Sequence, residues 1–152
     1  MRGRDRAYRI AHAIGLAGLA AWLWGNAYEE VAIVPNLAWG DAAALNAFRA
    51  LFHATNPTTY YAIVGPVVAL GLTGSVLAAR LPERRKLLVA IACVAVAALV
   101  TVYVVVHVNL QLFFGAVPDA ATARELALQW LILNAVRIAL VAAAFAVARR
   151  AR

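Results

Sequence analysis

Polar surface is what this sequence has least of. Only 14% of its 152 residues are charged while 65% are hydrophobic, and a water-soluble globule of that size needs far more polar cover. A single cysteine, Cys93, stands among Ala, Val and Ile, which excludes an intrachain disulfide and a cysteine-based zinc site and makes it a packing residue. The three histidines, His12, His53 and His107, form no His-x-x-x-His or Glu-x-x-His pair, so no metal-binding motif is present. Gly-rich phosphate loops, Cys-x-x-Cys pairs and nucleophile elbows are also missing. Acidic residues are outnumbered 7 to 14 by basic ones. The resulting +7 charge does not point to nucleic acid, because the Lys and Arg residues lie in short clusters between apolar stretches and not along one face.

What is present is membrane-length apolar sequence. A helix rises ~1.5 Å per residue, so about 20 apolar residues cross ~30 Å of hydrocarbon. Four segments meet that length, at about 10–35, 58–79, 87–113 and 123–147. The expected fold is all-α, a four-transmembrane-helix bundle forming one domain over residues 1–152. A cleaved signal peptide is the alternative for the first segment. Its apolar run is longer than a usual signal core and holds Trp22 and Trp24, so it is read as a retained helix. Orientation follows from the basic residues, which accumulate on the cytoplasmic side. Arg2, Arg4, Arg6 and Arg9, then Arg80, Arg84, Arg85 and Lys86, then Arg149, Arg150 and Arg152 all fall on one side of a four-span chain. Both termini are therefore expected in the cytoplasm, with the chain in a bacterial-type inner (plasma) membrane. The lipid bilayer and a hydrophobic small molecule are the expected partners; association of copies of the chain is left open.

The first outer connection is long enough to hold structure of its own. Residues 41–53 read as a short amphipathic helix, with Asp41 as cap or first turn and Leu45, Phe48, Leu51 and Phe52 near helical spacing. This segment is expected to lie across the bundle mouth as a lid, or in the membrane interface. Because lipid tails are as apolar as Leu, the spanning helices need small residues to approach closely, and Gly15, Gly18, Gly71, Gly74 and Ser75 supply them.

A polar side chain in hydrocarbon costs several kcal/mol unless it is paired, which makes the polar residues of the spans the candidate site. Trp22, Asn26, Glu29 and Glu30 share one helix face, as do Tyr103, His107 and Gln111, and as do Trp130, Asn134 and Arg137. The second span opens on Thr58, Thr59, Tyr60 and Tyr61. Measured from the cytoplasmic ends, Glu29, Tyr61, His107 and Trp130 fall at one level, roughly 28 to 30 Å up, with Arg137 deeper. Two readings follow. The cluster either fixes helix register, with Glu29 or Glu30 neutralising Arg137, or it lines a polar pocket open to the outer face. In the second reading Glu29, His107, Asn134 and Arg137 are catalytic candidates, and Trp22, Asn26, Tyr61, Tyr103, Asn109 and Trp130 are substrate-binding candidates. His107, Glu29, Glu30 and His53 together offer two nitrogens and two carboxylates, but without a ligand motif no metal is assigned. His12, near the arginines, reads as interfacial.

Three pieces of this sequence resemble the anthrone-oxygenase-like family of small four-helix membrane proteins: Gly25-Asn-Ala-Tyr-Glu29 with Pro35, Val108-Asn109-Leu110, and Trp130-Leu-Ile-Leu-Asn134-Ala-Val-Arg137. One departure is Val108, where the family usually has Pro beside the Asn. The resemblance implies an oxidoreductase that oxidises a hydrophobic aromatic or quinone-like molecule with dioxygen and without a dedicated cofactor. The alternative is a non-enzymatic module, a lipid-binding or assembly subunit whose polar layer is structural.

Overall fold

Asp41, Asn56 and Asp119 each stand one residue before a helix and accept a hydrogen bond from a first-turn N–H, of Ala44, Thr58 and Thr122, all at 2.9 Å. Such caps satisfy donors that have no partner inside the helix. Asp119 also accepts from the Thr122 hydroxyl at 2.9 Å, and these bonds hold its carboxyl below the usual aspartate range. Pro57 and Pro82 sit in the first turns of their helices, where a missing N–H costs nothing.

The computed structural model describes residues 2–52, 55–114 and 116–151. These are helical throughout their length apart from short turns, and no strand occurs among them. Helix α1 (Arg2–Tyr28) continues through a π-helical turn (Glu29–Ile33) into α2 (Val34–Ala38). Then come α3 (Ala42–Leu51), α4 (Pro57–Ala78), α5 (Leu81–Val104), a second π-helical stretch (Val105–Phe114) and α6 (Ala120–Arg149). Among the described residues three helices are long and apolar enough to cross a membrane: Pro57–Ala78, Leu81–Phe114 and Ala120–Arg149. In the most apolar stretch of the second, only 17% of the residues are buried within the protein, so most of that surface calls for an apolar solvent. Helix α1 is as long, but His12, Gly15, Gly18, Gly25 and Asn26 dilute its apolar run.

Several boundaries differ from the expected ones for local reasons. The first helix does not stop at Pro35, because Pro35 falls in the first turn of α2, where it is compatible with a helix. The basic stretch 80–86 is not a turn; Pro82 opens α5, and Arg84, Arg85 and Lys86 lie in its first turns. The connection between the first two spans is mostly helical, α3 included. Its cap is Asp41 as expected, Leu45 is buried, and Leu51 is exposed. His53, the expected end of that segment, lies outside the described residues. His12 is buried and stacked on Tyr8 with ring centroids 5.4 Å apart.

The basic clusters meet at one end of the molecule. Arg4 donates to the Ala78 and Ala79 carbonyls at 3.1 and 3.0 Å, and Lys86 donates to the Arg150 carbonyl at 2.8 Å. Cations at helix C-termini both satisfy free carbonyls and oppose the helix dipole. Two apolar clusters fill the interior. One, around Leu19, Val68, Leu72, Leu87 and Val141, occupies the basic end; the other, around Val34, Val108, Leu112 and Trp130, occupies the opposite end.

The closest helix contact is α1 on α4. A Cβ added to Gly71 would lie 2.4 Å from the Gly15 nitrogen, and one on Gly18 would lie 2.8 Å from a Val68 methyl. Backbone cannot move aside as a flexible side chain does, so Gly71→Leu is expected to destabilise the protein by about 1–3 kcal/mol, the usual cost of overpacking. Thermal unfolding in detergent measures this; an unchanged midpoint would show that α1 and α4 can separate freely.

Candidate functional site

Between the two apolar clusters lies a polar layer, and each helix contributes to it at the point where one cluster gives way to the other. On α6, Asn134 and Arg137 stand between Trp130 and Val141; on α1 and its π turn, Asn26 and Glu29 stand between Trp22 and Ile33. Arg137 and Glu29 are 1% and 3% exposed. A charge so buried is tolerable only when it is paired and hydrogen-bonded. The Arg137 Nη2 donates to Glu29 Oε2 at 2.7 Å and to Asn134 Oδ1 at 2.6 Å. Its Nη1 lies 3.4 Å from Thr101 Oγ1 on α5, and its guanidinium carbon is 5.1 Å from the centroid of the Tyr61 ring on α4, a cation–π distance. One side chain thus touches all four long helices.

Asn134 orders the other side of the layer. Its amide Nδ2 donates to the Asn26 carbonyl at 2.7 Å and to Glu30 Oε2 at 2.9 Å, while its Oδ1 accepts from Arg137. Glu29 is the inward carboxylate and Glu30 the half-buried one, joined to the pair through Asn134. The π turn decides this. Its wider winding, with the Val34 N–H bonded to the Glu29 carbonyl five residues back, lets two successive glutamates both reach toward α6.

Trp22 Nε1, Asn26 Nδ2 and Arg137 Nε are buried without a hydrogen-bond acceptor, and Asn26 Oδ1 and Asn109 Oδ1 without a donor. Tyr61 and Trp130 face the Glu29 carboxylate without closing a hydrogen bond of full geometry. A cavity of about 420 Å³ opens on this carboxylate, walled by Gly25, Tyr28, Ile33, Phe52, Asn56, Pro57, Tyr60 and Tyr61 among others. Its Tyr60 wall is set by a glycine. A Cβ on Gly25 would meet the Tyr60 ring at 2.4 Å, and the Tyr60 hydroxyl donates to the Ala21 carbonyl at 2.7 Å. Phe52, just past the end of α3, packs edge-on against Phe113 at 5.5 Å and borders the cavity.

Of the residues expected in the site, the structure brings together Trp22, Asn26, Glu29, Tyr61, Trp130, Asn134 and Arg137. Asn109 is buried nearby, its Nδ2 3.4 Å from Thr58 Oγ1. His107 and Tyr103 are not brought in. Tyr103, His107 and Gln111 do share one face, with the two rings 4.5 Å apart, but that face is exposed. In this stretch the π winding turns Val108 and Asn109 inward instead. Among the described residues no group of three His, Cys, Asp or Glu is placed to hold a metal ion. Sequence reasoning gave no site role to Thr101, whose signal was a lone hydroxyl inside an apolar helix, or to Gly25 and Tyr60, noted only in the family-like segment and at the start of the second span.

The fold and this layer define a class: an all-helical protein with membrane-length helices closed around a buried carboxylate–guanidinium pair that faces a cavity. The model of the anthrone oxygenase family matches residues 48–147, and the chain belongs to that family. No curated protein and no solved structure matches the chain. The matched stretch includes Tyr61, Asn109, Trp130, Asn134 and Arg137 but begins after α1, so it does not cover Asn26 and Glu29.

Removing one partner of a buried pair strands the other, at a cost of about 3–5 kcal/mol. Arg137→Met is expected to destabilise by that amount, and the double variant Arg137→Met with Glu29→Gln by clearly less. Unfolding of the three proteins in detergent tests this; equal losses in single and double variants would mean that the pair is not the coupled unit described.

Proposed function

We propose that the chain is a small membrane oxygenase that oxidises a hydrophobic, enolisable aromatic molecule in the cavity above the Glu29–Arg137 pair. The observation carrying this reading is a buried carboxylate, Glu29, that lines an open cavity beside Tyr61 and is paired with Arg137 behind it. Such a site suits a ligand that gives up a proton and keeps an oxygen with developing negative charge. For an anthrone, the Glu29 carboxylate takes a proton from the ring CH₂ group. The anion places its charge on the carbonyl oxygen, toward the Arg137, Trp130 and Tyr61 donors. Dioxygen then accepts electrons from the electron-rich anion, and the CH₂ becomes a second carbonyl with loss of water: anthrone plus O₂ gives anthraquinone plus H₂O. The substrate supplies the electrons, so the step calls on no dedicated cofactor. Asn134 is a positioning residue, holding Arg137 and Glu30 in register.

The same proposal places α1 as a fourth membrane span in a one-domain bundle. Its support is the Gly15–Gly71 contact with α4, the exposed Ile10, Ile14 and Trp24 along its outer side, and the gathering of basic residues at one end. By the charge rule that end, with both termini, faces the cytoplasm of a bacterial-type inner membrane. In a Cys93→Ala background, Asn46→Cys is expected to react with a membrane-impermeant maleimide on intact cells, and Arg150→Cys only after permeabilisation. The reverse pattern would invert the topology.

A specific observation also favours a non-enzymatic module: the Arg137 contacts tie the long helices together, as a register device would. Activity separates the two readings. Purified protein in lipid nanodiscs is expected to consume oxygen with an anthrone, and Glu29→Gln to lower kcat by about 10²–10⁴-fold, the range for loss of a general base, while the protein still folds. Absence of turnover in the unsubstituted protein would leave the structural module; full turnover in Glu29→Gln would remove Glu29 as the base.

A further inference from the structure

A second cavity, of about 310 Å³, lies between α4 and α5 on the opposite side of Tyr61. Its volume is at the low end of the roughly 300–1,000 Å³ of ligand pockets. The position in the fold is distinctive. Its walls come from the outer ends of α4 and α5, including Ala62, Gly65, Ala98 and Val102, and Val102 is 60% exposed. This part of α5 belongs to the most apolar of the three membrane-length helices, so the mouth of the cleft faces hydrocarbon and not water.

Local chemistry accounts for the opening. Gly65 offers no side chain to fill it, and a Cβ there would meet nothing within 4 Å. Pro66 follows inside α4, has no N–H for the Ala62 carbonyl, and so leaves that carbonyl without its helix bond on the cleft wall. At the inner end stand Trp22 and Thr101. Trp22 is 3% exposed and its indole N–H has no acceptor; Thr101 touches Arg137. Tyr61 lines both this cleft and the cavity over Glu29.

We propose that the α4–α5 cleft is a lipid-side binding site, which takes from the membrane a fused-ring aromatic molecule bearing a hydroxyl or carbonyl oxygen. The apolar walls fit the rings, and the unpartnered Trp22 N–H supplies a donor for the oxygen at the inner end. The cleft is then the entrance from the membrane, and the outer cavity, bordered by Asn56 and Glu29, is where the ring is oxidised and the product leaves, with Tyr61 between the two. This assignment rests on the oxygenase reading for its chemistry, yet it is tested by binding alone.

The experiment uses the full chain in phosphatidylcholine nanodiscs with 1-naphthol as the probe, titrated by quenching of tryptophan fluorescence against empty discs. Saturable binding is expected for the unsubstituted protein and for Gly65→Ala. Gly65→Phe starts from a Cβ position with nothing within 4 Å, sends a ring into the cleft, and is expected to raise Kd at least tenfold with its thermal midpoint retained. Gly65→Leu, smaller, provides the same test if the Phe variant does not fold. No saturable binding, or equal Kd in the filled variants, overturns the cleft. Oxygen uptake with an anthrone is read in parallel. Turnover that depends on Glu29 but ignores Gly65→Phe leaves the oxygenase standing and removes the cleft; naphthol binding lost in Gly65→Phe without any turnover does the reverse.

Discussion

The Glu29–Arg137 contact is the constraint around which the rest of this structure is arranged. Taking two ions out of water costs several kcal/mol each even after relaxation, and only close geometry with further hydrogen bonds offsets it. Here the closing contact is 2.7 Å, and the remaining valences of the guanidinium reach Asn134, Thr101 and the face of Tyr61. Because those partners come from different helices, the pair can be satisfied only in one arrangement of the bundle. The two apolar clusters on either side keep water from competing for it.

Satisfaction of the charges is not matched by satisfaction of the neutral donors. A protein evolved only to fix helix register would do better with apolar residues at Trp22 Nε1 and Asn26 Nδ2, since each unpaired buried polar group costs about 1–3 kcal/mol. The fold carries these open donors while Arg137 holds the bundle through Glu29, Thr101 and Tyr61.

The bundle is tight on one seam and loose on another, and glycine serves both. At Gly15 and Gly71 the absence of a side chain allows backbones to touch, which holds α1 to α4. At Gly65 the same absence leaves space, because nothing from α5 comes within reach. The difference lies in what faces the glycine and not in the glycine itself. Rigidity on the α1 side and an opening on the α5 side give the polar layer a fixed floor with two approaches.

Much of this was legible from residue order. Apolar runs of membrane length, the cap at Asp41, and the i, i+4 faces carrying Asn26, Trp130, Asn134 and Arg137 are local properties, fixed by hydrophobicity, spacing and short-range hydrogen bonding. What residue order left open was direction. Tyr103 and His107 share the expected face, yet the face points outward; Glu29 and Glu30 are adjacent in sequence, yet only Glu29 is fully buried. Helical spacing fixes which side chains share a face, but not how the helix is turned about its axis. That turn is decided by which side chains meet across helices. The sequence by itself therefore determined a membrane-suited helical chain with a polar layer, and the tertiary structure decided which residues that layer contains.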